Sequence, residues 1–469
     1  MTTTQHMQSP FVAIRWQWFA MLIAIFLLAL VLRWHYVYTT VVPAPLSGDA
    51  GQYYVYAWNL VHHGVFSLSP TDAQTITPDN YRDPGYPFFL ALWIKALGAN
   101  QTSYGAVLLC QALLGALTVS INMLISRQWL SISWTTAAGL LMAIWPHCIA
   151  INGFLLTETL SGFLCSLGLL FWVQACGTQR HGLALASGLF FGMAALTNAV
   201  LQPFGMLLAA LIALRAPSLR KICLTLALAS TILPTAWALR NAHIPPVDIH
   251  SSSKGRALQN LVQGSWSDYH SAWRTSRLGD DKARAEATAT LNAMNREYDL
   301  LLASPREGAK EILSRLGQHP FEYLAWYVAE KPYELWGWNI EIGQGDIYPY
   351  PVIHSPFQIS AAWIALAALC HTLNPLLFVL ALICLPLVWW WPVSHKISNL
   401  CQPLMSVIGL LMFLTLIYAT LQAEPRYSIP FRSQEIMLAF TALANLSGQW
   451  KIRQRMLAAR HGSQPDCPP

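Results

Sequence analysis

The sequence predicts an all-α polytopic membrane protein, in which a bundle of about ten transmembrane helices carries a small, mostly helical domain on its outer face. Hydrophobic residues make up 55% of the 469 residues and charged residues only 11%. Soluble proteins carry about 25% charged residues, so this composition excludes a soluble globular chain. Several apolar runs also reach about 18 residues, which is long enough to cross about 30 Å of hydrocarbon as a helix.

Ten apolar runs are predicted to cross the membrane. Seven precede a polar interval, at residues 16–38, 107–125, 134–149, 155–176, 183–200, 202–214 and 219–239. Three follow it, at residues 359–391, 404–421 and 429–446. The run 359–391 counts here as one crossing, although Asn374 and Pro375 mark a place where an interfacial helix would hand over to the true span.

Basic residues in the short loops predict how the chain is oriented. They fall on alternate loops, with Arg15 before the first run: Arg127, Arg180, Arg215, Arg220, Lys221, Lys396, and Lys451, Arg453 and Arg455 in the tail. Because Lys and Arg accumulate in cytoplasmic loops, both termini are expected in the cytoplasm. The loop 39–103 and the interval 241–357 then lie outside, since long loops escape this rule.

This orientation divides the chain into four parts. An N-terminal membrane module covers residues 1–240 and contains the first outer loop 39–103. A helical cap follows at 241–357, then C-terminal membrane helices at 358–450 and a cytoplasmic tail at 451–469. Within the outer segments, Pro84 and Pro87 bracket the start of a short amphipathic helix at 88–97, and Pro305 and Pro320 fit the first turns of two cap helices.

The sequence lacks the motifs that are typical of several classes of function. It has no phosphate-binding loop, no dinucleotide-binding glycine motif, no nucleophile elbow and no paired-cysteine metal motif. The large outer segments contain no cysteine, so no disulfide framework is expected. Anchoring at the inner face accounts for the net charge of +6, so nucleic acid is not an expected partner.

Two acids near the outer ends of spans are the informative exceptions. Asp49 follows the first apolar run in "LSGDAGQYYVYAWNLV", and Glu158 lies near the outer end of the fourth run in "FLLTETLSGFL". An ionisable group at such a position is costly unless it faces protein or a cavity. A structural role stays open for both residues, because Asp49 also suits a helix N-cap and Glu158 a capping or packing acid.

Three arginines are expected at the same level of the membrane. They are Arg82 before "DPGYP", Arg240 in "WALRN" and Arg426 in "EPRYSIP". Together with the two acids they indicate a site for an anionic substrate, although each alone also suits contact with lipid headgroups. Tyr53 and the aromatic residues after it either belong to the interfacial belt or line a groove for a sugar or a prenyl chain.

The ordered set of motifs resembles a known family. The early acid, "YRDPGYPFFLAL", "LLTETL", "WALRNA" followed by "SSSKGRALQNLVQG", and "EPRYSIPF" are similar to the bacterial polyprenyl-phosphate-dependent glycosyltransferases of the GT-C fold. These include the protein O-mannosyltransferase and aminoarabinose-transferase-like group and its lipopolysaccharide-core branch. The resemblance extends from about residue 16 to residue 446.

This resemblance implies an inverting transferase in the cell inner membrane, with its active site facing the periplasm. It would move one sugar from a polyprenyl-phosphate donor to a lipid, lipopolysaccharide or protein acceptor. Asp49 matches the acid that acts as general base, Glu158 a second acid of the same cavity, and Arg82 the basic position before the Pro-Gly-Tyr-Pro turn. A divalent cation, Mg²⁺ or Mn²⁺, serves some relatives and not others, and the sequence leaves this open.

The remaining basic residues follow from the same resemblance. Arg240 and Arg426 match basic positions that flank the outer cavity. Asn198 stands where such proteins often carry Arg or Lys, so the resemblance assigns donor-phosphate binding to other residues, with Lys254 and Arg256 as the candidates.

Two other kinds of protein remain as alternatives to this enzyme. A transporter or flippase would place acids near the middle of discontinuous helices and often contains internal repeats. An oligosaccharide ligase or polymerase acting on a lipid diphosphate would share the outer face and much of its charge. The large outer cap and the acids at one face favour the glycosyltransferase.

Overall fold

The computed structural model describes residues 10–244, 248–338, 350–389 and 398–448. These ranges are helical, apart from loops and one antiparallel bridge between Val41 and Ile353 that ties the first outer loop to the segment after the cap. The tail predicted at 451–469 lies outside the described residues.

The N-terminal membrane module contains ten helices. They are α1 (Pro10–Thr39), α2 (Gly48–His63), α3 (Gly85–Leu97), α4 (Gln101–Ser126), α5 (Ile132–Ile144), α6 (Pro146–Ala150), α7 (Glu158–Thr178), α8 (His181–Thr197), α9 (Phe204–Arg215) and α10 (Arg220–Ala242). Short 3₁₀ turns at Ile151–Gly153, Ala199–Leu201 and Pro217–Leu219 lie between them.

The described parts of the cap and of the C-terminal region contain eleven more helices. The cap holds α11 (Ser253–Gly264), α12 (Tyr269–Leu278), α13 (Asp281–Ala303), α14 (Pro305–Gln318), α15 (Pro320–Ala325) and α16 (Lys331–Leu335). The C-terminal region holds α17 (Pro356–Ile359), α18 (Ala361–Trp389), α19 (Ser398–Thr420), α20 (Pro425–Ser428) and α21 (Arg432–Leu446). Pro305 and Pro320 begin their helices as predicted, because a missing N–H is harmless in a first turn.

Six helices in the described ranges are long and apolar enough to cross a membrane, and the pair α5 and α6, bent by 58°, makes a seventh if it is one broken span. The six are Trp16–Thr39, Gln101–Ser126, Glu158–Thr178, Pro217–Ala242, Ala361–Pro386 and Gln402–Thr420. The other three predicted crossings correspond to α8, α9 and α21, which have 17, 12 and 15 residues. The chain is therefore a multi-pass helical membrane protein, with six or seven full-length candidate spans in the part that the structure describes, where the sequence predicts ten crossings.

The predicted interruption at Asn374 and Pro375 does not occur, because α18 continues through both residues. The Asn374 amide Nδ2 donates to the carbonyl of Trp336 at 3.1 Å, and its Oδ1 accepts from Arg432 Nη1 at 3.1 Å. Neighbouring segments thus satisfy the polar side chain, and a proline is tolerated inside a membrane helix when its surroundings are packed.

Helices α7, α8 and α10 pack side by side, and α4 packs between α1 and α7. Small residues permit this packing: a Cβ on Gly188 of α8 would come within 2.5 Å of the Ala229 Cβ on α10. The start of α7, the end of α8, the start of α9 and the end of α19 therefore meet at one end of the bundle, where the cap helix α11 covers them.

Candidate functional site

A cavity of about 650 Å³ lies at this end of the bundle. Its walls come from α2, the loop before α3, the start of α7, the turn between α8 and α9, the cap helix α11 and the segment from the end of α19 to α20. Seven of the eight predicted site residues line it: Asp49, Tyr53, Arg82, Glu158, Lys254, Arg256 and Arg426. The fold thus gathers residues that are up to 377 positions apart in the chain.

Asp49 is held between two arginines. Its Oδ1 accepts a hydrogen bond from Arg82 Nη2 at 2.6 Å, and its Oδ2 accepts one from Arg426 Nη2 at 2.9 Å. The side chain remains 28% exposed, on the cavity side. Helix α2 begins one residue earlier, after Ser47, so the alternative role of Asp49 as the N-cap residue is not what the geometry shows.

Arg426 also contacts the second acid. Its Nε lies 2.9 Å from Glu158 Oε1, which is ion-pair distance, although the N–H does not point along the line to that oxygen. The Glu158 side chain is only 5% exposed, and the residue is the first of α7. Arg426 on α20 therefore joins two carboxylates, one supplied by α2 and the other by α7.

Arg82 is oriented by several neighbours besides Asp49. Its Nε donates to Gln52 Oε1 at 2.6 Å, and its guanidinium lies 5.2 Å from the centre of the Tyr53 ring. Tyr53 in turn packs edge-on against Tyr86 of α3. This arrangement leaves the Arg82 side chain 11% exposed, so it faces the cavity in a fixed position.

The cap supplies two further cations. Arg256 Nη2 lies 3.0 Å from Asp83 Oδ2, and Asp83 also accepts from the backbone N–H of Ala199 at 3.3 Å. Lys254 is exposed to the cavity and has no ion pair or hydrogen bond with the described residues. The charged side chains of the cavity wall are four basic and three acidic, and Lys254 is the basic residue left without an acid.

Arg240 is the predicted site residue that the fold places elsewhere. Its guanidinium donates to the carbonyls of Asp79 at 2.6 Å and Phe66 at 3.2 Å, and it stacks 4.7 Å from the Trp237 ring centre. These contacts fasten the first outer loop to the end of α10. Arg240 therefore binds the first outer loop and does not line the cavity that contains Asp49.

The charges around Asp49 set its protonation. Burial raises the pKa of the Asp49 carboxyl, but Arg82 and Arg426 lower it more, so the pKa lies well below its usual range. Burial lowers the pKa of the Arg426 guanidinium, yet Glu158 and Asp49 raise it well above its ordinary value. Asp49 is thus a carboxylate and Arg426 a cation at any physiological pH.

Several residues of the site escaped the sequence analysis. Asp83 follows Arg82 directly but pairs with Arg256, 173 positions away, and its place in the motif "YRDPGYP" was the signal that could have identified it. Tyr418 and Tyr427 stack at 5.0 Å on the cavity wall, and Tyr418 accepts a hydrogen bond from Asn198. Tyr427 follows Arg426 within the motif "EPRYSIPF", whereas no motif distinguishes Tyr418 from the other interfacial aromatic residues.

The aromatic residues after Asp49 divide between two environments. Tyr53 lines the cavity, whereas Tyr56 is buried and donates a hydrogen bond to Asp79 in the first outer loop. Tyr54 and Trp58 are half-buried and lie on the side of α2 that does not line the cavity. Across the described ranges, no three His, Cys, Asp or Glu side chains form a group that could hold a metal ion.

Comparison with known proteins supplies structural matches only. No family model matches the sequence, and no curated protein matches it at a significant level. The apo oligosaccharyltransferase of Archaeoglobus fulgidus matches with a TM-score of 0.50 and 14% identity, over 94% of this chain and 52% of that one.

Two further structures match less closely. Archaeal oligosaccharyltransferase AglB from Archaeoglobus fulgidus, in complex with an inhibitory peptide and a dolichol-phosphate, matches with a TM-score of 0.48 and 13% identity, over 95% of this chain and 52% of that one. ArnT from Cupriavidus metallidurans bound to undecaprenyl phosphate matches with a TM-score of 0.36 and 15% identity, over 89% and 77%.

These comparisons concern the fold and not the chemistry. The chain spans about half the length of the oligosaccharyltransferases that it matches. At 14% identity, the match to the apo enzyme still extends over 94% of this chain. The predicted architecture is therefore confirmed: the chain has the polytopic helical GT-C fold.

Proposed function

We propose that this protein is an integral membrane glycosyltransferase, which transfers a sugar from a polyprenyl-phosphate donor to an acceptor hydroxyl. The observation that carries the proposal is the clamped carboxylate, Asp49 between Arg82 and Arg426, in a cavity that also contains the unpaired cation Lys254. An ionised acid beside an excess of positive charge suits a reaction that removes a proton at one point and releases a phosphate at another.

The reaction that fits this site has a simple balance. The acceptor oxygen forms a bond to the anomeric carbon of the sugar while the bond from that carbon to the phosphate oxygen breaks. The acceptor proton passes to the Asp49 carboxylate, and the bonding pair leaves with polyprenyl phosphate. Attack from the side opposite the phosphate inverts the anomeric configuration.

The arginines have two roles in this scheme. In the unliganded site Arg82 and Arg426 occupy both oxygens of Asp49, which lowers its basicity. A donor phosphate competes for the same guanidinium groups, and its arrival frees a carboxylate oxygen to accept the proton. Lys254 and Arg256 on the cap add positive charge for the departing phosphate, and Glu158 keeps Arg426 in place.

The arrangement of basic turns supports an active site on the outer face of the cytoplasmic membrane. The cavity is lined by the start of α7 and the end of α8. Arg180 lies between the end of α7 and the start of α8, Arg127 follows the end of α4, and Arg215 is the last residue of α9. Cytoplasmic loops collect Lys and Arg, so the cavity belongs on the periplasmic side. The acceptor there is a lipid, lipopolysaccharide or protein hydroxyl.

The fold is compatible with this chemistry. The apo structure whose fold the chain shares is, by its name, an oligosaccharyltransferase, an enzyme that transfers glycosyl groups. The proposal itself depends on the side chains of the cavity and not on that likeness.

Asp49→Asn tests the base assignment. The substitution keeps the shape of the side chain but removes the proton acceptor, so sugar transfer should fall by about a hundredfold or more, the range expected for a general base. Transfer is measured in membranes supplied with radiolabelled undecaprenyl-phosphate sugars, with the acceptors of the native envelope. Protein abundance in the membrane is quantified in parallel.

Asp72→Asn is the matched control, since Asp72 is an exposed acid of the same outer loop and does not line the cavity. It should transfer sugar at the wild-type rate. Undiminished turnover by Asp49→Asn would show that Asp49 is not the base.

A further inference from the structure

Uncharged amides line the cavity beside its charged residues. Four glutamines line it: Gln202 at the turn between α8 and α9, Gln259 and Gln263 on the cap helix α11, and Gln422 after α19. Gln259 and Gln263 are four residues apart and therefore lie on the same face of α11. The four side chains come from three separate parts of the fold and meet at one cavity.

These amides have no partners among the described residues. No side-chain hydrogen bond joins any of the four to another described group. Gln422 gives the strongest indication of a binding role among the four, because the residue is only 9% exposed and lines the cavity. The side-chain atoms of Gln422 are not among the buried atoms without a partner, so its amide is open to the cavity, where a ligand or water can satisfy it.

The charged residues of the same cavity are already paired. Asp49 and Glu158 contact Arg426, Asp49 also contacts Arg82, and Asp83 contacts Arg256. Among the described residues of the wall, the one charge without an opposite charge is Lys254, which the proposed function assigns to phosphate. A cationic ligand group therefore finds no acid in this wall that is free to pair with it, and an anionic group finds only Lys254.

We propose that Gln202, Gln259, Gln263 and Gln422 form a subsite for a neutral, hydroxyl-rich sugar ring. This inference rests on the proposed function, and it names the class of sugar: a neutral sugar in preference to an amino sugar or a uronic acid. Each primary amide offers two donors and an acceptor, which matches sugar hydroxyls that both donate and accept. A cavity of about 650 Å³ also falls within the range of about 300–1,000 Å³ that is usual for small-molecule sites.

The sugar belongs either to the lipid donor or to the acceptor, and two binding measurements distinguish these sources. Both use the purified full-length protein in nanodiscs. The donor measurement compares undecaprenyl phosphate, undecaprenyl-phosphate glucose and undecaprenyl-phosphate 4-amino-4-deoxyarabinose. The acceptor measurement uses methyl glucoside in the presence of saturating undecaprenyl phosphate. The variants are Gln259→Leu and Gln422→Leu, which keep side-chain size and remove hydrogen bonding.

We expect each substitution to weaken glucoside binding about tenfold in one of the two measurements, the loss expected for one good hydrogen bond. Loss in the donor measurement assigns the subsite to the transferred sugar, and loss in the acceptor measurement assigns it to the acceptor. Gln318→Leu, on the exposed end of α14, should bind as the wild type does. Affinity for sugar-free undecaprenyl phosphate should be unchanged in both cavity variants.

Two results would overturn the subsite. One is an affinity for the glucosyl ligand that neither substitution changes in either measurement. The other is tighter binding of the amino-arabinosyl lipid than of the glucosyl lipid. Failure of the proposed function has a different signature. In that case undecaprenyl phosphate does not bind, or it binds equally well to Lys254→Ala, whatever the glutamine variants do.

Discussion

Arg426 is the residue on which the charged wall of the cavity depends. It contacts Asp49 through one nitrogen and Glu158 through another, and its own side chain is only 14% exposed. Removing one partner from a buried ion pair leaves an uncompensated charge, which costs far more than an exposed pair contributes. The sequence motif "EPRYSIP" thus places a cation where two distant acids require it.

Arg82→Gln tests the electrostatic control of Asp49. Because Arg82 lowers the pKa of the Asp49 carboxyl, its removal should raise that pKa toward or above the ordinary value near 3.9. Protonated Asp49 cannot accept a proton, so transfer is lost as the pH falls through this pKa. The acid limb of the pH profile should therefore lie at higher pH in the variant than in the wild type.

The measurement is the initial rate of sugar transfer from pH 8 down to about pH 3, and the readout is the fraction of the neutral-pH rate that remains at the acid end. The wild type should keep most of its rate there, because the pKa of its Asp49 lies well below the usual range, whereas Arg82→Gln should lose rate as the pH falls. Arg284→Gln, an exposed arginine on the cap helix α13, serves as the control and should follow the wild type. Equal retention of rate by wild type and Arg82→Gln would contradict the influence of Arg82 on Asp49.

The site residues show how far individual positions can be predicted from sequence. Asp49, Glu158 and Arg426 were identifiable because charged residues are rare at the ends of apolar runs. Arg240 satisfied the same criterion but binds loop carbonyls, and only the path of the first outer loop decides that. The glutamines of the cavity were not identifiable, since an uncharged amide is unremarkable in a polar segment.

At the scale of helices, the cap joins the membrane bundle where the backbone at the end of α11 comes close to the backbone after α19. A Cβ on Gly264, at the end of α11, would lie 2.1 Å from the Leu421 carbonyl oxygen, so only glycine fits there. The Lys331 side chain of α16 is fully buried at this junction, and its Nζ donates to the carbonyls of Gly264 at 2.8 Å and Leu421 at 2.5 Å. This contact fixes α11, which carries the cap wall of the cavity, to the end of α19.

Lys331→Met should loosen this junction. Burial lowers the pKa of the Lys331 amine to about 7, with Glu334 opposing the shift. Between pH 7 and about 10.4 the unfolded chain then binds more protons at this position than the folded protein, so the free energy of unfolding rises with pH in that window. The variant loses the two hydrogen bonds, at a cost of about 1–3 kcal/mol. It also lacks the increase in the free energy of unfolding that Lys331 contributes as the pH rises.

Thermal unfolding of the purified protein, followed by tryptophan fluorescence from pH 7 to pH 10, checks both effects. Lys310→Met, an exposed lysine of α14, is the control and should follow the wild type. His270, Glu334 and Glu424 surround the junction in both proteins, so the difference between the two curves isolates Lys331. Parallel curves for Lys331→Met and wild type would refute the pH effect.

Over the whole molecule, the fold class was predictable because membrane thickness fixes the length and composition of a spanning helix. Helices that do not meet that requirement were harder to interpret. Helix α21 has 15 residues and buries Arg432 against Glu435, so it is stabilised by neighbouring protein and not by contact with lipid. The bend of 58° between α5 and α6 likewise follows from Pro146, which begins α6.

The topology of the whole chain provides the last prediction. If the cavity opens on the periplasmic side, a cysteine at Lys282 on the exposed cap helix α13 should react with a membrane-impermeant maleimide in spheroplasts. A cysteine at Arg180, in the exposed turn between α7 and α8, should react only after the membrane is permeabilised. The wild-type chain supplies the background, because its seven described cysteines are buried or half-buried. Labelling of Arg180→Cys in intact spheroplasts, with Lys282→Cys protected, would reverse the proposed orientation and place the sugar-transfer site in the cytoplasm.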